Sequence, residues 1–312
     1  MRRVLFSLLV KSLVLAVVFL TPTVASAKGS VETGRAIYSP SLGHTIPYSI
    51  YIPGEQWTKG RRMPVLYLLH GHGGNETDWL KLADLANLLD RGIELGWLKP
   101  LIVVMPMAGN SWYVDDPRED GFGPVAKAMT GDLTAAIDAR YPTLACREAR
   151  AIGGLSMGGY GAMLYAFDRP DLYAAVISLS GSLFHTVPTD EKYRGKSLSK
   201  LFDGIFGTPF DWSQYSRWSV FEKMKVMLDR PHKPDVFLAA ADADFPSILL
   251  GTVEMHKQLI EAGLNSELRI DDGRHTWDFW KKALVPALQW LSPRLSMTCP
   301  AQSVAQSAPQ SR

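Results

Sequence analysis

Between residues 45 and 291 the chain alternates two kinds of apolar pattern. Short unbroken apolar runs at 65–69, 101–105, 174–179 and 236–240 offer no polar face, and they predict strands buried on both sides of a sheet. Longer stretches repeat apolar residues at helical spacing. These are 79–89, 127–141 ended by Pro142, 163–167 as the continuation of a helix begun after Ser156, 246–262 closed by Gly263, and 277–291. Residues 45–53 alternate apolar and polar side chains and predict an early antiparallel strand, with a short late strand at 267–270. Strands and helices in alternation predict an α/β fold, a mainly parallel central sheet covered by helices on both faces.

Two stretches fall outside this alternation. Residues 182–234 carry many charges, Pro188, Pro209, Pro231 and Pro234, and an aromatic group of Phe206, Phe210, Trp212, Tyr215 and Trp218. This predicts an insertion before the next strand, built of short helices and capping one edge of the sheet, because so long a segment without structure is not expected inside a domain. Residues 296–312 are rich in Ser, Gln, Ala and Pro and predict a disordered tail. The domain itself is expected to span 28–295.

At the start of the chain the pattern changes meaning. Arg2 and Arg3 precede an apolar stretch that ends in Ala25-Ser26-Ala27, the pattern of a signal peptide with an A-x-A cleavage site. It predicts a mature chain from Lys28, secreted or periplasmic and without stable membrane insertion. The other reading, a membrane anchor, is opposed by Lys11, which interrupts the apolar run. Export makes a disulfide between the two cysteines, Cys146 and Cys299, plausible, while two unpaired thiols remain the alternative. A formal charge of +2 from 33 basic and 31 acidic residues gives no field to attract nucleic acid or anionic lipid.

The candidate chemistry centres on residues 153–161, Gly-Gly-Leu-Ser-Met-Gly-Gly-Tyr-Gly. They contain G-x-S-x-G between an apolar run and a helical one, the strand, turn and helix context of a nucleophile elbow. Side chains at 154 and 158 would collide with the neighbouring helix and strand. Ser156 then needs a general base, and the base needs a group to hold its tautomer. Of the seven histidines, His44, His70 and His72 precede the serine, His185 lies in the insertion, His232 in a linker and His256 within a helix. His275 remains, after the last strand and at the start of the last helix. An acid is expected past the strand 236–240, where Asp242 and Asp244 both stand, Asp244 being preferred; either could instead cap the next helix. An oxyanion would need two backbone amides, those of Met157 and, from the glycine-rich loop after residue 69, His72. His70-x-His72 also suggests a metal pair, but no third ligand is evident and the flanking glycines fit an oxyanion loop better. This chemistry calls for no cofactor.

The blocks Y-L-L-H-G-H-G-G-N-E-T-D-W (67–79), N-S-W-Y-V-D (110–115), G-L-S-M-G-G-Y-G-A (154–162), A-D-A-D-F (241–245) and G-R-H-T-W-D-F-W (273–280) resemble the putative-esterase family of α/β-hydrolases. That family includes esterase D (S-formylglutathione hydrolase), feruloyl and enterochelin esterases and the antigen 85 mycolyltransferases. The resemblance implies the α/β-hydrolase fold, with Ser156 as nucleophile, Asp244 as acid, His275 as base, and His72 and Met157 as oxyanion amides. The family's usual glycine three residues before the acid is Ala241 here, which keeps Asp242 in play. Trp112 and Tyr113 match a segment beside the catalytic serine, so they either line the acyl pocket or belong to the core. The function implied is hydrolysis of small-molecule, carbohydrate-linked or lipid-linked esters. The alternatives are acyl transfer by the same triad and a catalytically silent binding relative. Specificity is expected to reside in 182–234 and the loop around Trp112.

Overall fold

The computed structural model describes residues 28–185 and 198–300. The expected signal peptide, and the tail from residue 301, lie outside the described residues. Eight strands form one sheet: β1 (Ser30–Ser39), β2 (His44–Ile52), β3 (Val65–Leu69), β4 (Ile102–Pro106), β5 (Arg150–Leu155), β6 (Ala175–Leu179), β7 (Asp235–Ala241) and β8 (Ser266–Asp271). Their order is β1-β2-β4-β3-β5-β6-β7-β8. The first two pairings, β1 with β2 and β2 with β4, are antiparallel, and every later pairing is parallel.

The buried runs split by period two, as a pleated strand requires. In β3, Val65, Tyr67 and Leu69 enter one core layer, while Leu66 and Leu68 enter the other. Helices cover both layers. α1 (Leu85–Glu94) and α6 (Trp277–Leu291) pack on one face, and α2 (Thr134–Arg140), α3 (Met157–Asp168) and α4 (Val220–Met227) on the other. α5 (Pro246–Glu261) links β7 to β8.

Several sequence expectations change in detail. β1 was not anticipated, because seven of its ten residues are exposed and an edge strand needs no apolar run. The helix expected at 79–89 is broken by Asp84, whose φ of 51° ends the turn Asp78–Leu82 before α1 begins. The helix expected at 127–141 is continuous, but it passes through a π-helical turn at Ala128–Leu133 before α2.

The described part of the insertion does not cap a sheet edge, since the edges are β1 and β8. Its described helices, Leu198–Leu201, Trp212–Ser216 and α4, sit over α3 and the Trp112 loop, and its aromatic rings pack on one another and on Trp112. Those rings join the core layer on that face of the sheet, and burying them is what the segment's aromatic content achieves.

The cysteines are paired. Cys146 and Cys299 form a disulfide with their Cα atoms 5.8 Å apart. Together with the Ser296 N–H, which donates to the Glu148 carbonyl at 2.8 Å, it holds residues 296–300 against the domain, where a disordered tail was expected.

Candidate active site

The carboxyl ends of β3, β4, β5, β7 and β8 open on the same side of the sheet, and the segments leaving them carry every candidate residue. Ligands of open α/β sheets bind at such strand ends. Ser156 stands between β5 and α3 with φ of 53° and ψ of −118°, a conformation that L side chains rarely adopt. Its backbone is held from both directions. The N–H donates to the Leu179 carbonyl at 2.9 Å, and the carbonyl accepts from the amides of Tyr160 at 3.0 Å and Ser182 at 3.2 Å.

The glycines permit this turn because there is no room for a Cβ. A methyl on Gly158 would lie 2.6 Å from the carbonyl oxygens of both Leu69 and His70, and one on Gly154 would strike the Gly158 carbonyl. Backbone atoms cannot yield as a side-chain tip can.

Ser156 Oγ–H donates to His275 Nε2 at 2.9 Å, and His275 Nδ1–H donates to Asp244 Oδ1 at 2.8 Å. A carboxylate accepts only, so the second bond leaves Nε2 free to take the serine proton. The Asp244 side chain is fully buried and the His275 side chain is 18% exposed, its ring flanked by Phe245 and Trp280 at centroid distances of 5.2 and 4.9 Å. Asp244 does not cap α5, which begins without a side-chain cap; its Oδ1 also accepts the Phe245 N–H at 2.7 Å.

The loop after β3 passes directly beside the serine, where a methyl on Gly71 would come within 3.6 Å of Ser156 Cβ. Both expected oxyanion donors therefore border Ser156: Met157 by following it in the chain, and His72 by following Gly71. Among the described residues neither amide donates to a protein acceptor. Met157 N–H lies at the first position of α3, where the backbone offers no partner and the helix dipole favours an anion.

His70 is a strut. Ala108 N–H donates to its Nε2 at 3.1 Å, so Nδ1 carries the proton and donates to the Gly71 carbonyl at 2.8 Å. Burial pushes its pKa below the ordinary value and outweighs the opposing Gly71 bond. The two imidazoles of His70-x-His72 do not converge, because His72 Nε2 turns to Asp203 Oδ2 at 2.7 Å.

Trp112 and Tyr113 prove to be core residues. They are 2% and 0% exposed, and the Tyr113 hydroxyl donates to the His70 carbonyl at 3.0 Å. Both have positive φ, 52° and 59°, which is unusual for bulky side chains and turns their rings inward beneath the site. The cleft over Ser156, of about 670 Å³, has other walls: Gly71, His72, Phe245, Thr276, Trp277 and Trp280 among them. No described residue of 182–234 lines it, whereas Trp277 and Trp280 at the start of α6 do. Trp277 and Trp280 escaped notice as site residues although they follow His275 by two and five positions. On the helix that begins at 277, Trp280 turns its ring to 4.9 Å from the histidine ring, and Trp277 packs edge-on against Trp280.

This sheet order, with a site at the strand ends and a serine on a strained strand-to-helix turn, defines an α/β-hydrolase. Residues 39–291 match the family model described as Putative esterase, and the chain belongs to that family. It is similar to an acetyl esterase of Caldicellulosiruptor saccharolyticus, 30% identical over 236 residues that cover 74% of this chain and 84% of that protein. An esterase of Mycobacterium tuberculosis is 29% identical over 254 residues, and the match spans 76% of this chain but only 54% of the relative. Among solved structures, a ferulic acid esterase superposes with a TM-score of 0.68 at 23% identity, covering 86% of this chain and all of the other. S-formylglutathione hydrolase of Staphylococcus aureus gives 0.66 at 17% identity, covering 85% and 98%. Those two likenesses speak to the fold.

Proposed function

We propose that this chain is an exported serine esterase that hydrolyses carboxylic esters through an acyl-enzyme on Ser156. The observation that carries the reading is the unbroken hydrogen-bond chain from Ser156 through His275 to Asp244, at 2.9 and 2.8 Å, opening on a cleft. As Ser156 Oγ attacks the ester carbonyl, its proton passes to His275 Nε2, and buried Asp244 stabilises the imidazolium that forms. The carbonyl oxygen becomes an anion, for which the free amides of His72 and Met157 are the donors. His275 returns the proton to the departing alkoxide, and water repeats the sequence to release the acid. Small acyl groups suit the relative named acetyl esterase, and the aromatic cleft walls also suit aryl acyl groups. Export rests on the pattern of residues 1–27, and the Cys146–Cys299 disulfide is in keeping with an oxidising compartment.

Ser156→Ala tests the reading. Turnover of p-nitrophenyl acetate is expected to fall by at least about 10³-fold with an unchanged thermal midpoint. Activity retained by the purified variant would sink the assignment.

A further inference from the structure

The loop 70–74, which carries the oxyanion amide of His72, is gripped at three points. His70 anchors it inside the core through Ala108 N–H, and Gly73 N–H donates to Asn110 Oδ1 at 2.7 Å. The third grip is His72 itself, whose Nε2–H donates to Asp203 Oδ2 at 2.7 Å across 131 positions of sequence. It is the grip that reaches the insertion.

Asp203 is not a loose tip. Its φ is 50°, and its carbonyl accepts from Arg118 Nη2 at 3.3 Å. Arg118 is in turn fixed by two bonds to Asp116, Nε to Oδ1 at 2.8 Å and Nη2 to Oδ2 at 2.7 Å. Burial pushes the Asp116 carboxyl up, but the Arg118 guanidinium and the amides of Arg118 and Phe122 hold it below its ordinary value. Upstream, the Leu201 carbonyl accepts from Trp112 Nε1 at 3.2 Å, and the Phe202 ring lies 4.4 Å from the Trp112 ring. Left-handed backbone at a non-glycine residue costs roughly 1–2 kcal/mol and persists where surrounding contacts determine it. Here those contacts aim one carboxylate at His72.

Stability does not explain the arrangement. The side chains of His72 and Asp203 are 38% and 36% exposed, and an exposed pair contributes only about 0–1 kcal/mol. The position of a reacting group is far more sensitive, since a displacement of about 1 Å can cost on the order of 100-fold in rate.

We propose that Asp203 is a positioning residue: through the His72 side chain it sets the oxyanion loop, so the insertion serves catalysis from outside the cleft. The inference rests on the esterase reading above, and the two fail separately.

The test is a double-mutant cycle with p-nitrophenyl acetate. Asp203→Ala should lower kcat about ten-fold with KM within about two-fold, and Asp203→Asn, which keeps an acceptor for Nε2–H, should recover most of the loss. In a His72→Ala background, which retains the backbone amide, adding Asp203→Ala should change nothing further. An unchanged kcat in Asp203→Ala, or the same loss repeated in the His72→Ala background, would overturn the proposal. Ser156→Ala assayed alongside separates the cases. If it is inactive while Asp203→Ala is fully active, only the positioning role fails; if it is active, the esterase reading fails.

Discussion

Asp242 and Asp244 serve the same histidine in different ways. Asp244 Oδ1 accepts from the ring of His275 at 2.8 Å, whereas Asp242 Oδ1 accepts from the backbone N–H of Gly273, two residues before that histidine, at 3.0 Å. The cause is a tight turn after β7, in which the Asp244 N–H donates back to the Ala241 carbonyl at 3.2 Å. The turn buries Asp244 and leaves Asp242 exposed.

The two carboxylates should therefore respond differently to the same change. Asp244→Asn is expected to cost roughly 10³- to 10⁴-fold in kcat, because an amide can present an N–H to Nδ1 and favour the wrong tautomer. Asp242→Asn keeps an acceptor for Gly273 and should stay within about three-fold of the parent, the loss expected of a tether that still holds. Steady-state kinetics of the two purified variants decides; equal losses would mean that Asp244 has no special role.

Buried His70 should make stability depend on pH. Its folded pKa is lowered, so the unfolded chain binds the proton first on acidification. The contribution is fully present above the unfolded value of about 6.5 and is lost as the pH falls from there toward the lowered folded value. Half-buried His256 is lowered by burial in the same sense, so His70→Gln should reduce the slope without abolishing it. Urea midpoints between pH 7.5 and 5 provide the check, and an unchanged slope in the variant counts against this account.

The aromatic wall of the cleft makes a prediction about substrate range. Trp277 is half-buried and meets Trp79 and Trp280 edge-on at 5.2 and 5.5 Å. Trp277→Ala should raise KM for methyl ferulate by about 5- to 10-fold, the equivalent of one lost aromatic contact. Phe210→Ala, in the insertion's own aromatic cluster, should leave KM within about two-fold because no ring there reaches the cleft. KM values that shift in the reverse pattern would return specificity to the insertion.

The chemistry-bearing residues were largely legible one at a time. An elbow needs small residues around its serine, and Gly154 and Gly158 show that requirement locally, since the backbone contact excludes any Cβ. The parallel core strands were legible because burial on both faces leaves unbroken apolar runs, whereas edge strand β1 leaves no such trace.

What the linear chain determined, then, was the buried inner strands of a mainly parallel sheet, the serine of the elbow and the single histidine placed to reach it. Tertiary structure decided the remainder. Asp244 was separated from Asp242 by the direction of one turn, Trp112 and Tyr113 were sent into the core by left-handed backbone, and the cleft was walled by Trp277 and Trp280. The pairing of His72 with Asp203 spans 131 residues and leaves no periodicity or motif in the sequence. Short-range steric demands are written in neighbouring residues; a contact between distant loops exists only once the sheet has brought their strand ends together.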